Sequence, residues 1–371
     1  MMDGAMHDET VAWLSLSLVP GLGARGLYKL VDRFGTAQAV LHASPADIGE
    51  VTGLREEVGR GLTDRRRYID QATAELHRLT RIGGRLLTSP DPAYPDVLRH
   101  LSPPPPILFV RGDVDLLHRP MAALVGTRAA TSYGRRMAAS LAGALACRGV
   151  AIVSGMAAGI DTAAHQGCLS GAGATVGVLG CGLNVVYPRS NQRLFDEVLA
   201  SGALVSEYPL DTQPEPFRFP ARNRIIAGLA RAIVVIEAGA KSGALITVQY
   251  GLEAGREIFA VPGQADSFKS QGAHWLIKQG AGLATCADDI LACFDDVVQQ
   301  ADNEETAPAR GGVETEGSGD LLAHLEQYPL GREEVLRRSG LSSARLSELL
   351  LLLELDGVVE LLPGNMVRRV G

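Results

Sequence analysis

MAALVGTRAATSYGRRMAASLAGALACRGVAIVSG, residues 121–155, is the stretch that decides the fold. It contains two short apolar runs, Ala122–Val125 and Ala151–Val153, separated by a helical segment, Tyr133–Arg148. A strand, a helix and a second strand at this spacing indicate a βαβ unit, in which the two strands are parallel. The glycine and polar residues directly after the first run form the loop that enters the helix.

The same alternation continues toward Phe294. The further predicted strands are Thr175–Leu179, Ala203–Ser206, Ala232–Ile236 and Ile258–Val261, and the further predicted helices are Asn191–Ser201, Arg222–Leu229 and Leu245–Gly255. Repeated units of this kind predict an α/β fold with a doubly wound parallel sheet. In such sheets ligands bind outside the carboxyl ends of the strands, so we expect the site in the loops there.

Residues 1–85 are expected to form a helical module. VPGLGARG, residues 19–26, matches the letters of the G-x-G-x-x-G dinucleotide fingerprint, and Leu14–Leu18 before it alternates like a strand. The apolar stretches that follow look helical, whereas a dinucleotide site needs a second parallel strand. A helix-hairpin-helix or SAM-like module, with a second hairpin at Val51–Arg55, is therefore preferred. Its backbone N–H groups suit a phosphate, but a packing module without net charge is an equal alternative.

Two segments mark boundaries. Ser102–Pro106 is a polyproline stretch that cannot be helical and runs extended into Ile107–Val110. Residues 299–318 are acidic, rich in glycine and small residues, and lack apolar periodicity. This composition predicts a flexible acidic linker.

Residues 319–371 have the pattern of a winged-helix-like domain. Three predicted helices are followed by two strands that flank a turn at Pro363–Asn365. The third helix, Ser343–Leu355, is apolar and acidic, whereas a helix that enters a DNA groove needs basic or amide side chains. We therefore expect a packing or protein-contact role for this domain, with Arg368 and Arg369 as the exception worth testing.

Composition excludes several classes of protein. The net charge is −7, which argues against binding duplex DNA through bulk positive charge. No apolar run is long enough to span a bilayer, and the acidic N-terminus lacks the basic region of a signal peptide, so a cytoplasmic protein without a membrane partner is expected. The five cysteines are widely spaced without a C-x-x-C pair. Neither a disulfide framework nor a metal site is indicated, and no cofactor is expected.

Two of the candidate site loops are rich in glycine and small residues. Gly126-Thr127-Arg128 and Ser154-Gly155 each follow a predicted strand. Glycine lets an anion approach the main chain closely, and Arg128 adds a charge. A bare structural turn is the alternative for each loop.

The third candidate is Arg222-Asn223-Arg224, within FRFPARNR at residues 217–224. Arginines at the start of a helix are unfavourable against the helix dipole, which suggests that a bound anion compensates them. The alternative is that they pair with Glu207, Asp211 or Glu215. Phe217 and Phe219 are candidate base-stacking residues, although core filling is equally ordinary for them.

The fourth candidate is Lys241-Ser242-Gly243, which follows a predicted strand. It imitates the end of a Walker A loop, but the leading glycine is missing, so the P-loop interpretation fails. A lysine and a hydroxyl at a helix start still suit a phosphate. Arg128, Arg222, Arg224 and Lys241 are together predicted to form a basic ring over glycine-rich loops, which is an anion site.

Several motifs, in order, carry a resemblance to a known family. VGTRAATSYG, VSGMAAGIDTAAHQG, FPARNRIIAGLA, VIEAGAKSGALITVQYGLEAGR and IFAVPG resemble the DprA/Smf family over residues 86–298. The resemblance implies that residues 86–298 form an extended Rossmann-like domain without enzymatic activity. This domain is expected to bind and protect single-stranded DNA, to form a homodimer, and to load RecA recombinase during natural transformation. The resemblance assigns the family's G-[ST]-R, S-G, R-N-R and K-S-G motifs to Gly126–Arg128, Ser154–Gly155, Arg222–Arg224 and Lys241–Gly243. The resemblance also implies the N-terminal SAM-like or helix-hairpin-helix module and the C-terminal winged-helix domain.

An enzyme is the competing class. Nucleotide-binding hydrolases of the lysine-decarboxylase-like or phosphoribohydrolase type share this kind of sheet and carry a P-G-G-x-G-T-x-x-E loop. This chain has Ala238–Gly243 in the corresponding place, with no glutamate following. His165 with Asp161 is the candidate acid–base pair. A structural capping role is favoured for both, because no nucleophile or metal partner is evident.

Overall fold

The computed structural model describes residues 2–51, 53, 56–294, 321, 325, 330–355, 358–362 and 366–369. The chain divides into two units, Met1–Glu304 and Glu305–Gly371. The predicted acidic linker at 299–318 lies outside the described residues.

A nine-stranded mixed sheet forms the centre of the first unit. Its strands are β1 (Gly84–Thr88), β2 (Ile107–Gly112), β3 (Met121–Val125), β4 (Ala151–Ser154), β5 (Thr175–Leu179), β6 (Ala203–Ser206), β7 (Ala232–Val235), β8 (Glu257–Ala260) and β9 (Gly282–Leu283). They lie in the order β1-β2-β6-β5-β4-β3-β7-β8-β9. All pairs from β6 to β9 are parallel, which confirms the doubly wound sheet. β1 and β2 form an antiparallel edge that the sequence analysis did not predict.

The helices of this unit pack on both faces of the sheet. They are α1 (Met2–Ser17), α2 (Ala24–Phe34), α3 (Ala37–His42), α4 (Pro45–Gly49), α5 (Glu56–Thr63), α6 (Arg65–Arg81), α7 (Asp96–Arg99), α8 (Ser132–Cys147), α9 (Ile160–Ser170), α10 (Gln192–Ser201), α11 (Arg218–Leu229), α12 (Ala244–Glu253), α13 (Gln271–Lys278) and α14 (Asp288–Leu291). Along β3 the side chains alternate between two cores, because successive residues of a strand face opposite sides. Met121, Ala123 and Val125 share a core with α11–α13, and Ala122 and Leu124 share one with α8, α9 and α14.

The strand order reverses between β3 and β7. From β3 the chain proceeds to β4, β5 and β6 on one side, and then returns to place β7 on the other. The loops that leave β3 and β7 therefore diverge toward opposite faces and open a crevice between them, as they do in other doubly wound sheets. The fold thus provides a ligand site at this point.

The N-terminal module is helical, but the strand-like pattern at Leu14–Leu18 was misleading. α1 continues through Ser17, and a short hairpin containing Gly21, with φ +79°, leads into α2. The hydroxyls of Ser15 and Ser17 donate to carbonyls four residues earlier, at 2.7 and 2.9 Å, so these polar residues are satisfied inside the helix. The glycine match is therefore a helical hairpin rather than a dinucleotide turn. Of the second predicted hairpin, only Val51 and Gly53 are described.

The module shares a hydrophobic core with the sheet. Leu14 and Leu30 belong to the same cluster of buried side chains as Phe109, Leu179 and Leu204. The boundary predicted between residues 85 and 86 falls inside β1. The helices thus cover the β1-β2-β6 end of the sheet.

The second unit contains a small antiparallel sheet and two described helices. Its elements are β10 (Leu330–Gly331), α15 (Arg332–Ser339), α16 (Ser343–Leu355), β11 (Val359–Leu362) and β12 (Met366–Arg369). The strand order is β10-β12-β11, which confirms the predicted wing strands. α16 buries Leu346, Leu349, Leu350 and Leu353, in keeping with a packing role. Arg368 pairs with Glu360 at 2.7 Å. The predicted turn at 363–365, the side chain of Arg369 and most of the predicted first helix lie outside the described residues.

Across the described parts of both units, no helix combines the length and the apolar character needed to cross a membrane.

Candidate functional site

A cleft of about 670 Å³ opens at the carboxyl ends of β3 and β4, between the first turns of α11 and α12. Eight of the predicted site residues line it: Gly126, Thr127, Arg128, Phe219, Arg222, Asn223, Ser242 and Gly243. The cleft lies at the place where the strand order reverses. The structure therefore brings together one loop from each side of the reversal.

The loop after β3 is held by a buried carboxylate. The backbone N–H of Thr127 donates to the carbonyl oxygen of Glu237 at 2.8 Å, and the Glu237 carboxylate accepts from the backbone N–H of Thr131 at 2.9 Å and from its hydroxyl. A side chain at position 126 would place its Cβ 2.6 Å from Ile160, so glycine is required there. These contacts fix the loop and leave Arg128 exposed.

Arg222 is buried beneath the cleft, with 5% of its surface exposed. Its guanidinium donates to the carbonyl oxygens of Gly155 and Val178, at the ends of β4 and β5. Asp161 supplies the opposite charge and also accepts from the backbone N–H of Gly155 at 3.1 Å. Burial raises the pKa of Asp161, and Arg222 opposes that shift. A Cβ on Gly155 would lie 2.5 Å from the guanidinium, so this glycine makes room for Arg222.

Phe219 forms one wall of the cleft, and two arginines converge on its ring. The guanidinium carbon of Arg128 lies 4.9 Å from the ring centroid and that of Arg222 lies 5.8 Å from it. Tyr187, which the sequence analysis did not select, packs against the same ring at 5.4 Å between centroids and is 41% exposed. The sequence feature that could have identified Tyr187 is its position in NVVYP, the loop that follows β5. Phe217 is 65% exposed and lies outside the lining.

The expected ring of four cations is wrong in its geometry. Arg224 pairs with the buried carboxylate of Glu207 and donates to the carbonyl of Pro103 at 3.3 Å, so the alternative of internal pairing holds for it. Burial raises the pKa of Glu207, and Arg224 opposes that shift. The helix-dipole argument failed because α11 begins at Arg218, four residues earlier than predicted. Lys241 is exposed but does not line the cleft.

Ser154 and Gly155 support the site from below. The Ser154 side chain is fully buried and donates to the carbonyl of Leu124 at 2.7 Å, which ties β4 to β3. Gly155 accommodates the Arg222 guanidinium. Both residues therefore shape the floor, and neither lines the cleft.

The loop before α12 is tied to α11. The side-chain amide of Asn223 donates to the carbonyl of Gly243 at 3.4 Å, and its oxygen accepts from Nε of Arg222 at 3.1 Å. The hydroxyl of Ser242 accepts from the backbone N–H of Ala244 at 3.3 Å. Asn223 thus links the buried arginine to the lysine-bearing loop.

The proposed acid–base pair is engaged elsewhere. Nδ1 of His165 lies 2.7 Å from the hydroxyl of Thr175, which itself donates to the carbonyl of Ile152 at 2.8 Å. Burial lowers the pKa of His165 to about 3, so the ring is neutral at physiological pH. Asp161 accepts from backbone N–H groups and faces Arg222. These contacts support the structural role that the sequence favoured for both residues.

The fold defines a Rossmann-like α/β protein with a cleft at the reversal of its sheet and a winged-helix unit in the C-terminal part of the chain. Comparison with known proteins gives a matching family for each of the two units. The profile of the family described as DNA recombination-mediator protein A matches residues 85–295, and that of the DprA winged helix domain matches residues 304–365. The chain belongs to the DprA/Smf family of DNA processing proteins.

Relatives match nearly the whole chain. Protein Smf of Synechocystis is 34% identical over 98% of this chain and 99% of its own length, and Protein Smf of Escherichia coli is 36% identical over 97% and 96%. DNA processing protein A from Streptococcus pneumoniae has a solved structure with a TM-score of 0.67 and 35% identity, covering 77% of this chain and 97% of its own. The protein from Helicobacter pylori, described for its single-stranded DNA binding mode, gives a TM-score of 0.52 at 27% identity, covering 60% and 98%.

Replacement of Arg222 by alanine is expected to lower the free energy of unfolding by about 3–5 kcal/mol, because it leaves Asp161 buried without its partner charge. Arg128→Ala is the matched control. Its side chain is exposed, so its effect should stay within about 0.5 kcal/mol. Urea unfolding followed by circular dichroism measures both. Equal stabilities of the two variants would contradict the structural role given to Arg222.

Proposed function

We propose that this protein binds single-stranded DNA in the cleft, protects incoming strands, and delivers them to RecA recombinase in natural transformation and recombination. The observation that carries the proposal is the convergence of Arg128 and Arg222 on the ring of Phe219, at 4.9 and 5.8 Å. Burial is the main cause that lowers the pKa of Arg222, Asp161 opposes that shift, and the like charge of Arg128 lowers the pKa further. A phosphate placed in the cleft relieves the repulsion between the two arginines, and the neighbouring aromatic surface offers a face to a base.

The shape and charge of the protein favour an unpaired strand. A stacking contact with Tyr187, Phe219 or the exposed Phe217 needs a base that is free of its own duplex stack. The net charge of −7 gives no bulk attraction for duplex DNA, so binding must come from this local cluster. The relative from Helicobacter pylori is described as a single-stranded DNA binder, which supports the same assignment here.

The protein is proposed to act by binding rather than by catalysis. The alternative of a nucleotide hydrolase requires an acid–base pair, and His165 is neutral and bonded to Thr175. Asp161 faces the guanidinium of Arg222. Asp161 lines the cleft, but its carboxylate is engaged by Arg222 and by backbone N–H groups, and His165 lies outside the lining.

A homodimer is proposed through the β8-β9 end of the sheet. Leu252 at the end of α12, Trp275 on α13 and Leu283 in β9 are 64%, 55% and 50% exposed. These elements are neighbours at the edge of the sheet, and β9 is its terminal strand. Large apolar side chains grouped beside an open strand edge are typical of a subunit interface.

RecA as a partner and a cytoplasmic location are proposed from the likeness to the family. A protein that protects an incoming strand must release it to the recombinase that pairs it, and both events take place where RecA is found. Winged-helix residues are proposed to contribute a protein contact, because α16 uses its leucines for packing.

Arg128→Ala and Lys241→Ala are each expected to weaken binding of a fluorescent thymidine oligomer and to reduce the slope of log affinity against log salt by about 0.7. Each removes one proposed phosphate contact, Arg128 in the cleft and Lys241 beside it, next to the cleft-lining Ser242. Fluorescence anisotropy across a salt series measures both quantities. Arg119→Ala is the matched control, because Arg119 precedes the amino end of β3 at the opposite edge of the sheet.

Unchanged affinity of both site variants at low salt would reject the cleft as the strand site. A parallel incubation with nucleoside monophosphates separates the two classes of function. Release of free base would favour the hydrolase.

Leu252→Glu and Leu283→Glu are expected to convert a dimer into a monomer, because each buries a charge in the proposed interface. Light scattering after size exclusion gives the mass directly. Val97→Glu adds the same charge at an exposed apolar residue on α7 and should leave the mass unchanged. A wild-type protein with the mass of one chain would refute the dimer.

Addition of the protein is expected to shorten the lag in RecA assembly on single-stranded DNA that is already coated with a single-strand-binding protein. ATP hydrolysis by RecA reports this assembly. The Arg128→Ala variant should leave the lag long, because it cannot hold the strand. A lag that wild-type protein does not alter would refute the delivery role while leaving strand binding intact.

A further inference from the structure

The loop that follows β8 lies against the same edge of the sheet as the cleft. The hydroxyl of Tyr133 donates to the carbonyl of Pro262 at 2.7 Å, and Nζ of Lys269 donates to the carbonyl of Ala129 at 2.6 Å. The backbone N–H of Gly272 donates to the carbonyl of Ala238 at 2.7 Å. The segment from Pro262 to Gly272 is therefore fixed to the loops that leave β3 and β7.

Phe268 is displayed on this fixed loop with 68% of its surface exposed, slightly more than Phe217. Its backbone carbonyl lies 3.4 Å from the Cβ position of Gly239, which places it beside the loop that leads to Lys241. An isolated exposed phenylalanine is unremarkable on its own. Here the next residue, Lys269, holds its ammonium 5.9 Å from the ring, so a cation and an aromatic face are presented together.

The Phe268–Lys269 pair repeats the chemistry of the cleft wall. In the cleft, the guanidinium of Arg128 lies over Phe219 at 4.9 Å. Ala129, the residue after Arg128, accepts the hydrogen bond from Lys269. The hydrogen bond from Lys269 to Ala129 thus joins the Phe268–Lys269 pair to the Arg128–Phe219 pair. Both pairs lie at the carboxyl ends of the strands.

We infer that a single strand leaving the cleft past Arg128 continues onto this second pair, where Phe268 stacks a base and Lys269 contacts a phosphate. The inference rests on the proposed function of the cleft and extends its footprint toward β8. Alternating cations and aromatic faces are what a sequence-independent strand requires, because every base has a face and every linkage has a charge.

The test uses the full-length protein and a thymidine oligomer of about 12 nucleotides, within the range that single-strand sites cover. Phe268→Ala is expected to weaken binding about tenfold, the effect of losing one base stack. Phe268→Trp should keep the wild-type affinity. Its indole emission should be quenched at saturating oligomer, beyond the change that Trp13 and Trp275 give in the wild-type protein. Lys269→Ala should lower the salt slope by about 0.7, and Arg119→Ala should not.

The outcomes separate this inference from the one it rests on. If Arg128→Ala weakens binding while Phe268→Ala does not, and Phe268→Trp shows no added quenching, the cleft stands and the extension is refuted. If wild-type protein fails to bind the oligomer, both are refuted. Light scattering of Phe268→Ala provides the remaining control, since a change of mass would make Phe268 a subunit contact and overturn the inference.

Discussion

The carboxyl edge of the sheet depends on the hydrogen bonds that the guanidinium of Arg222 makes. This guanidinium donates to the carbonyls of Gly155 and Val178, so one side chain from α11 closes the ends of β4 and β5. A charge buried this deeply is costly unless it is paired and hydrogen-bonded, and Asp161 with these carbonyls meets both conditions. Because Phe219 lies three residues earlier on the same helix, the contact also fixes the ring on which Arg128 rests.

The three arginines of the candidate site therefore have different physical roles. Arg222 and Arg224 are enclosed with acidic partners, and each holds a helix to a strand end or a loop. Arg128 is exposed and packs its guanidinium face on an aromatic ring, which leaves its N–H groups directed outward for an anion. Asp161 compensates the charge of Arg222, so Arg128 is the exposed arginine of the cleft lining.

The central sheet could be predicted from sequence because buried parallel strands are continuous apolar runs bounded by glycine and helical segments. The six predicted strands agree with β3 to β8 to within one residue at either end. Sequence patterns did not predict contacts between residues that are far apart in the chain. They were also ambiguous where one pattern fits two local structures. The helix predicted at Arg222–Leu229 begins earlier, at Arg218, and Pro220 lies in its first turn, where proline is tolerated. The partner of Arg224 lies on another strand end, which no local pattern reveals.

The helical module reaches the cleft through one loop. The carboxylate of Glu75 on α6 accepts from the backbone N–H of Leu210, and Arg78, one turn further on, pairs with Asp211. Asp211 adopts a φ of +63°, a strained value for a residue with a side chain, so the loop needs these contacts to hold its shape. The same loop carries Pro214 and Pro216 into the cleft wall. The helical module, which carries no net charge, thus contributes to the site by positioning the wall of the cleft.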